Sequence, residues 1–181
     1  MTVIPVPNDW EIHGVAVFCL DSDGKIIMVV ESDKKERPRA GKYAGMLSIP
    51  MGGVKKGEPA EATAIREFGE ETGLEVRIEY PLAFVEIDTP ERNRVGVWAF
   101  KGELTGNLYT ARENERLRVV RLSEKEFLET PSFYMRPRNF EIYNSYVDKR
   151  ELLGQGVPLG LVRELAIKAS PPGARQWLGG E

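Results

Sequence analysis

One segment of the chain constrains the fold more than any other, the run AEATAIREFGEET that follows Pro59. Its apolar residues, among them Ile65 and Phe68, recur at helical spacing and alternate with acidic positions. Proline is favoured at the first position of a helix, and glycine, here Gly73, is a common stop just beyond the last turn. The pattern therefore predicts a helix that begins at Pro59 and ends at about Thr72.

The acidic side chains of this helix are arranged closely. Glu67, Glu70 and Glu71 stand at positions i, i+3 and i+4, which places three carboxylates on one face. Like charges at this spacing oppose helix formation, whereas Mg²⁺ and Mn²⁺ prefer carboxylate oxygen and bring substrate phosphates into the same coordination shell. The cluster is a candidate site for one or more divalent ions, although many acidic helix faces are merely solvated.

The residues around the helix give the cluster a defined context. From residue 52 the chain reads GGVKKGEPAEATAIREFGEETGL. This segment resembles the Nudix box, G-x5-E-x7-R-E-U-x-E-E-x-G-U with U a bulky apolar residue, at every specified position. With the flanking strands included, the resemblance to the Nudix (MutT-like) hydrolase family covers about residues 10–130. Many members have Leu-Pro-Gly-Gly at the entrance to the box, where this chain has IPMG, so Met51 is expected to alter the substrate-facing side of that loop.

The resemblance implies an α/β protein with the Nudix fold, a mixed β-sheet sandwiched between helices, as a single domain over residues 1–181. Runs of β-branched and other apolar residues predict strands at 12–20, 25–31, 46–50, 76–87, 92–101 and 117–122, and a small helix is predicted at 123–128. Apolar residues at helical spacing predict two further helices in a C-terminal segment of about 137–170. These helices pack either on the body of the domain or on a second subunit, so a homodimer stays open.

Similarity to the family also implies the roles of the box residues. Glu67, Glu70 and Glu71 would hold Mg²⁺ or Mn²⁺, and the backbone carbonyl of Gly52 is a further candidate ligand, since a backbone oxygen approaches an ion most easily where no side chain intervenes. Arg66 would orient one of the box glutamates through a charge-assisted pair. Glu58, one residue before the helix, lies close enough in sequence to tune the site, directly or through a bound water.

The chemistry that this site implies is attack of water on phosphorus, with a carboxylate as general base. Glu67 is the first candidate for that base, and Glu113 and Glu115 in the ARENERL segment are the alternatives. Three cations in the polar segment before the box are candidates for contacts with substrate phosphates, or else form a solvated charge run: Arg37, Arg39 and Lys42.

The function implied by the resemblance is metal-dependent hydrolysis of a diphosphate linkage in a nucleoside diphosphate derivative. A nucleotide sugar or a nucleoside triphosphate is favoured as the substrate, and the family also includes enzymes acting on dinucleoside polyphosphates and coenzymes. The alternative is a catalytically inactive Nudix-fold domain that senses nucleotides or regulates a partner. Domains of that kind usually lose one or more box glutamates, whereas this chain retains all of them.

Composition narrows the class of partner. The chain has 181 residues and a net charge of −3, from 25 basic and 28 acidic residues, which gives no electrostatic case for a nucleic-acid duplex or an anionic membrane. Its apolar runs are far shorter than the roughly 20 residues of a membrane helix, and the start MTVIPVPNDW lacks the pattern of a signal peptide. A single cysteine, Cys19, cannot form an intramolecular disulfide. We therefore expect a soluble cytoplasmic protein whose partner is a small nucleotide.

Overall fold

The computed structural model describes residues 12–33, 42–88, 94–110 and 116–178. Its strands in these ranges are β1 (Ile12–Leu20), β2 (Ile26–Val30), β3 (Leu47–Ser48), β4 (Met51–Gly53), β5 (Leu74–Asp88), β6 (Arg94–Leu108) and β7 (Arg118–Leu122). Its α-helices are α1 (Ala60–Thr72), α2 (Glu124–Glu129), α3 (Asn139–Gly154), α4 (Leu159–Ala169) and α5 (Pro172–Arg175). Short 3₁₀ helices lie at Ser132–Tyr134 and Gln176–Leu178.

The strands form one mixed sheet around β1. The order across the sheet is β3-β2-β1-β6-β5, with β4 paired to β1 and β7 paired to β2. Strands β1 and β6 run parallel, from the pair Ile12 and Val95 to the pair Leu20 and Glu103. The other pairings are antiparallel, including the hairpin of β1 and β2. The sheet is therefore mixed, as predicted.

Both faces of the sheet are covered, because side chains of β1 alternate between two apolar clusters. Ala16 and Phe18 belong to the cluster that α2, α3 and α4 complete. Val15, Val17 and Cys19 belong to the cluster on the opposite face, which α1 and α5 complete. A strand buried on both faces reads as a continuous apolar run, which explains the sequence of β1. The arrangement confirms the predicted α/β/α sandwich.

Helix α1 docks through the apolar face that its sequence predicted. Phe68 is fully buried, as are Ala60 and Ala64. The helix ends at Gly73, which adopts the left-handed region with φ 74° and donates its N–H to the Gly69 carbonyl at 2.8 Å. Glycine is favoured there because it lacks the Cβ that makes this conformation costly. The docking holds the acidic face of α1 beside β4.

Two predicted strands differ from the structure. The strand predicted at 46–50 is shortened to β3, because the backbone at Ile49 turns away from the ladder and donates to Asn139 Oδ1 at 2.6 Å, and a separate strand, β4, follows it. The strand predicted at 92–101 extends as β6 to Leu108, although its second half is rich in polar residues. It pairs with β5 along a ladder that runs from the pair Asp88 and Arg94 to the pair Leu74 and Leu108. The backbone hydrogen bonds of this ladder hold residues whose side chains do not favour a strand by themselves.

The C-terminal helices lie on the body of the chain. Tyr146 of α3 stacks on Phe18 of β1 at a centroid distance of 4.4 Å. Val162 and Ala166 bury the inner face of α4, while Leu161 is 45% exposed on its outer face. The short helix α5 had no sequence signal, and it caps the α1 side of the sheet, where the Ala174 carbonyl accepts from Trp98 Nε1 at 2.6 Å. Within the described ranges, no helix is both long and apolar enough to cross a bilayer.

Candidate active site

The guanidinium group of Arg66 lies among three carboxylates of the box. Its Nη1 donates to Glu67 Oε1 at 2.6 Å and to Glu70 Oε2 at 3.0 Å. Its Nε and Nη2 donate to the two oxygens of Glu58 at 2.9 and 3.0 Å, and Nη2 also reaches the Gly53 carbonyl at 3.2 Å. Arg66 therefore orients three glutamates, where the sequence predicted that it orients one. The helix brings Glu67 and Glu70 to it, and the turn before α1 brings Glu58.

Glu58 is bound firmly at the start of α1. Its Oε2 also accepts from Thr63 Oγ1 at 2.9 Å and lies 3.4 Å from the Lys55 backbone nitrogen. The hydrogen bonds and positive charge of Arg66, with the Thr63 hydroxyl, lower the pKa of Glu58 to about 2. Glu58 is therefore ionised at neutral pH and anchors Arg66 in one orientation.

Glu67 occupies a space that only a glycine in β4 leaves open. A Cβ atom placed on Gly52 would overlap the carboxylate of Glu67. Glu67 is 8% exposed, so it is held between the strand and Arg66. The box glycine therefore has a steric role in this chain, since it admits the carboxylate against the β4 backbone.

Glu71 faces a different environment from Glu67 and Glu70. It is buried, and its Oε2 accepts the Met51 backbone N–H at 3.1 Å. Burial and the nearby Glu31 raise the pKa of Glu71 to about 8, and the cations Lys42 and Arg136 oppose that rise. The three box carboxylates therefore do not converge as a set, because Arg66 holds two of them and the β4 backbone holds the third.

The donor chemistry of this region fits a hard divalent cation. Carboxylate oxygens are the ligands that Mg²⁺ and Mn²⁺ prefer, and helix α1 presents them beside β4. In the described part of the chain, however, no group of three or more potential ligand side chains is arranged to hold an ion. The guanidinium group of Arg66 supplies the positive charge that pairs with Glu58, Glu67 and Glu70. Metal binding by the predicted ligands therefore requires their carboxylates to rotate away from these partners.

The prediction for Lys42 needs a correction. Lys42 is 8% exposed, and its Nζ lies 3.1 Å from Glu31 Oε2. Glu31 is itself buried, and its Oε1 accepts from Arg136 Nη1 at 3.1 Å. Lys42 is thus not a solvent-facing loop cation, because its ammonium group neutralises a carboxylate inside the domain. Arg37, Arg39, Glu113 and Glu115 lie outside the described residues, so their roles stay predictions.

The contacts of three residues near the site had no signal in the sequence. Glu31 and Arg136 are 105 positions apart and meet only through the fold. Tyr109 lies against Gly69 of α1, since a Cβ on that glycine would overlap the tyrosine ring. An isolated charged or aromatic residue in a strand or loop gives no local pattern that would reveal such contacts.

Comparison with known proteins supports the resemblance. A family model described as the NUDIX domain matches residues 11–145, which is more than half of the chain. A segment of 60 residues is 45% identical to the ADP-ribose pyrophosphatase of Bacillus subtilis (strain 168), covering 33% of this chain and 29% of that protein. A segment of 71 residues is 37% identical to the methanol dehydrogenase activator of Bacillus methanolicus, covering 39% and 35%. The chain spans about a third of the length of these curated relatives.

Solved structures show the same fold. A NUDIX hydrolase from Nitrosomonas europaea aligns with a TM-score of 0.63 over 76% of this chain and 88% of that one, at 19% sequence identity. At that identity the likeness concerns the arrangement of strands and helices. The likeness therefore supports the fold described above.

Proposed function

Because this chain belongs to the NUDIX family, we propose that it hydrolyses a diphosphate linkage in a nucleoside diphosphate derivative, with water attacking at phosphorus. The observation that carries the proposal is the cluster of Glu58, Glu67 and Glu70 around Arg66, beside a glycine that leaves room for Glu67. A rigid helix that presents several oriented carboxylates is suited to a reaction in which positioning and electrostatics supply most of the acceleration.

We propose that Glu67, Glu70 and Glu71, with the Gly52 carbonyl, hold Mg²⁺ or Mn²⁺. A divalent cation bound there would lower the pKa of water and offset the negative charge of the phosphates. Helix α1 fixes the backbone positions of these ligands, and their carboxylates would turn from Arg66 and the Met51 N–H towards a common ion. Arg66 supplies a second positive group that stays in the cleft through its bonds to Glu58.

Glu67 is our first candidate for the general base. Its carboxylate lies between Arg66 and Gly52, next to the other proposed ligand positions on α1, where it could accept a proton from water bound to the ion. Glu113 and Glu115 are the alternatives. The chain on either side of them is attached to the end of α1, because Tyr109 N donates to the Gly73 carbonyl at 3.0 Å and Leu117 N donates to the Glu71 carbonyl at 2.9 Å.

We propose a nucleotide sugar or a nucleoside triphosphate as the substrate. The B. subtilis relative is named an ADP-ribose pyrophosphatase, which favours a nucleotide sugar as the substrate. Its match covers 33% of this chain and 29% of that protein. The substrate of this chain is therefore best found by a panel. The panel includes ADP-ribose, ADP-glucose and UDP-glucose together with the nucleoside and deoxynucleoside triphosphates.

The test measures phosphate-containing products from this panel with Mg²⁺ or Mn²⁺ and with a chelator. The full chain is compared with Glu70→Gln, which loses one charge of the cluster, and with Glu129→Gln, which makes the same change in α2, outside the cluster. We expect turnover by the wild type and by Glu129→Gln, and a loss of at least about a hundredfold in Glu70→Gln. Turnover that survives either the chelator or Glu70→Gln would contradict the proposal. Absence of turnover with the whole panel would favour the sensing or regulatory alternative.

The base is identified by separating chemistry from ion binding. Glu67→Gln and Glu115→Gln are compared for kcat and for Mn²⁺ affinity. Glu67 is proposed as both ligand and base, so Glu67→Gln should weaken Mn²⁺ binding and should still lower kcat when Mn²⁺ is saturating. Loss of a residue that is only the base, the alternative role of Glu115, lowers kcat and leaves the affinity for Mn²⁺ unchanged. If only Glu115→Gln lowers kcat without affecting Mn²⁺ binding, Glu67 is not the base.

A further inference from the structure

Three exposed aromatic rings line one cavity of the protein. Within the part of the chain that the structure describes, the exposed aromatic side chains are Tyr43, Phe133 and Tyr134, at 42%, 71% and 54%. All three line the same cavity of about 500 Å³, together with Ala44, Gly45 and Met46. Apolar rings gathered in one place on a surface are typical of a ligand site or an interface. The volume lies within the range of small-molecule sites, roughly 300–1,000 Å³.

One wall of the cavity is the turn that carries Tyr43. Backbone hydrogen bonds join this turn to the residue after β2, because Glu31 N donates to the Met46 carbonyl at 2.9 Å and Gly45 N donates to the Glu31 carbonyl at 2.8 Å. Gly45 has a φ of 80°, which is the left-handed region that glycine adopts most easily. The turn therefore presents the Tyr43 ring from a backbone that is bonded to the sheet.

The other wall carries Phe133 and Tyr134, whose ring centroids are 4.3 Å apart. The backbone beyond this pair is attached to β3, because Arg136 N donates to the Leu47 carbonyl at 2.9 Å. The side chain of Arg136 also donates to Glu31 at 3.1 Å, the same residue to which the first wall is bonded. Both walls are thus fixed to one buried charged residue, which sets their separation.

The cavity lies close to the proposed metal site along the chain. From Met46, in the cavity wall, the backbone passes through β3 to Met51, whose N–H is accepted by Glu71 at 3.1 Å. Five residues span at most about 18 Å even when they are fully extended. The aromatic cavity and a box carboxylate therefore lie at the two ends of one short segment. This arrangement suits a ligand that has an aromatic ring at one end and phosphates at the other.

We propose that this cavity binds the nucleobase of the substrate, with the base stacked on the rings of Tyr43, Phe133 and Tyr134. The inference rests on the proposed function, because a nucleoside diphosphate derivative carries its base one ribose away from its phosphates. Every nucleobase has a π face that stacks on aromatic side chains. The two tyrosine hydroxyls add donors and acceptors for the edge of the base. A second copy of the chain is the competing occupant of these rings.

The first experiment measures the binding of nucleoside monophosphates to the full chain by saturation-transfer difference NMR. A chelator is present, so the readout does not depend on hydrolysis. AMP, GMP, CMP and UMP are compared with ribose 5-phosphate, which lacks a base. We expect at least one nucleotide to bind, with the strongest saturation on its base protons, and ribose 5-phosphate to bind much more weakly. A wild type that bound none of the four nucleotides, or bound ribose 5-phosphate equally tightly, would overturn the proposal.

Three double variants assign the binding to the rings. Tyr43→Ala/Phe133→Ala removes one ring from each wall, and Tyr43→Phe/Tyr134→Phe keeps every ring. Leu161→Ala/Leu165→Ala is the matched control, because it removes exposed apolar side chains from α4. Loss of base stacking typically weakens binding at least about fivefold, so we expect that effect in the alanine variant of the cavity. The other two variants should bind like the wild type. Equal affinity in the wild type and the alanine variant of the cavity would contradict the proposal.

Turnover and molecular mass separate the remaining readings. With the best substrate of the panel, kcat/KM should fall at least about fivefold in Tyr43→Ala/Phe133→Ala. An unchanged kcat/KM in this variant would refute the nucleobase site and leave the proposed hydrolysis intact. A wild type that bound nucleotides through these rings without turnover would refute the hydrolysis and leave the nucleobase site intact. A wild-type dimer in light scattering that the same variant dissociates, with no nucleotide bound, would assign the rings to a second copy and overturn the proposal.

Discussion

Removal of the Arg66 side chain tests the electrostatic organisation of the site. Arg66→Met keeps a similar length of aliphatic chain and deletes the guanidinium group. That group makes five hydrogen bonds at 3.2 Å or less, four of them to carboxylates. Its side chain is 16% exposed, and the carboxylates of Glu58, Glu67 and Glu70 are 21%, 10% and 17% exposed. The variant therefore leaves three negative charges close together in a largely buried cleft.

The magnitude follows from this burial. Deleting one partner of a buried ion pair typically costs about 3–5 kcal/mol, because the remaining charge stays desolvated. The partial exposure of the three carboxylates allows some hydration, so we expect the lower end, about 3 kcal/mol. For a chain of this size that corresponds to a decrease in Tm of about 6–12 °C. Hydrolytic activity should fall as well, since two of the released carboxylates are proposed metal ligands.

The assay is urea unfolding at pH 7, followed by circular dichroism, with Tm from calorimetry. Arg77→Met is the matched control, because it removes a guanidinium group that pairs with Glu103 on the exposed surface of β5 and β6. The control should unfold like the wild type. If Arg66→Met were as stable as Arg77→Met, the guanidinium group would not be what holds the carboxylates together, and the reasoning would be refuted.

Three further predictions follow from the pKa shifts and the buried charges. Because the pKa of Glu58 is lowered to about 2, its stabilising contribution is present above its ordinary pKa near 4.5 and is lost as pH falls towards 2. The difference in unfolding free energy between the wild type and Glu58→Gln should therefore shrink over that window, and a constant difference would contradict the assignment. Arg136→Met should lower the free energy of unfolding in urea by about 3–5 kcal/mol, because Glu31 is fully buried and loses one of its two cations. Arg138→Met is the control on an exposed side chain, and it should lower the free energy of unfolding much less. Burial raises the pKa of Cys19 to about 12, so this thiol should resist a thiol reagent at pH 8 in the folded protein and react after unfolding. Rapid labelling of the native chain would show that β1 is less buried than described.

Local patterns predicted the elements that are specified by nearby residues. Helix α1 was readable because Pro59 and Gly73 bracket an apolar stripe, and the structure ends the helix with Gly73 in the left-handed region. The small helix α2 was also predicted, and it is stabilised by a capping box between Ser123 and Glu126. The box spacing identified the family, which the family model confirms. In each case the signal lies within a few residues of the element that it defines.

Contacts between distant parts of the chain were not readable. The second half of β6 is polar and forms a strand because it pairs with β5 as far as Leu74. Lys42 was expected at the surface, since a lysine in a polar loop gives no sign that Glu31 will bury it. Spacing along α1 showed that its three acidic residues share a face, but it could not show that Arg66 binds two and the Met51 N–H binds the third.

The most direct measurement is a manganese-soaked crystal examined by anomalous scattering at the manganese edge. We predict a peak bonded to carboxylate oxygens of the box helix, at Glu67 and Glu70, which disappears from crystals of Glu70→Gln grown under the same conditions. A saturating soak that showed no manganese beside Glu67, Glu70 or Glu71 would contradict the claim that these carboxylates form the catalytic metal site.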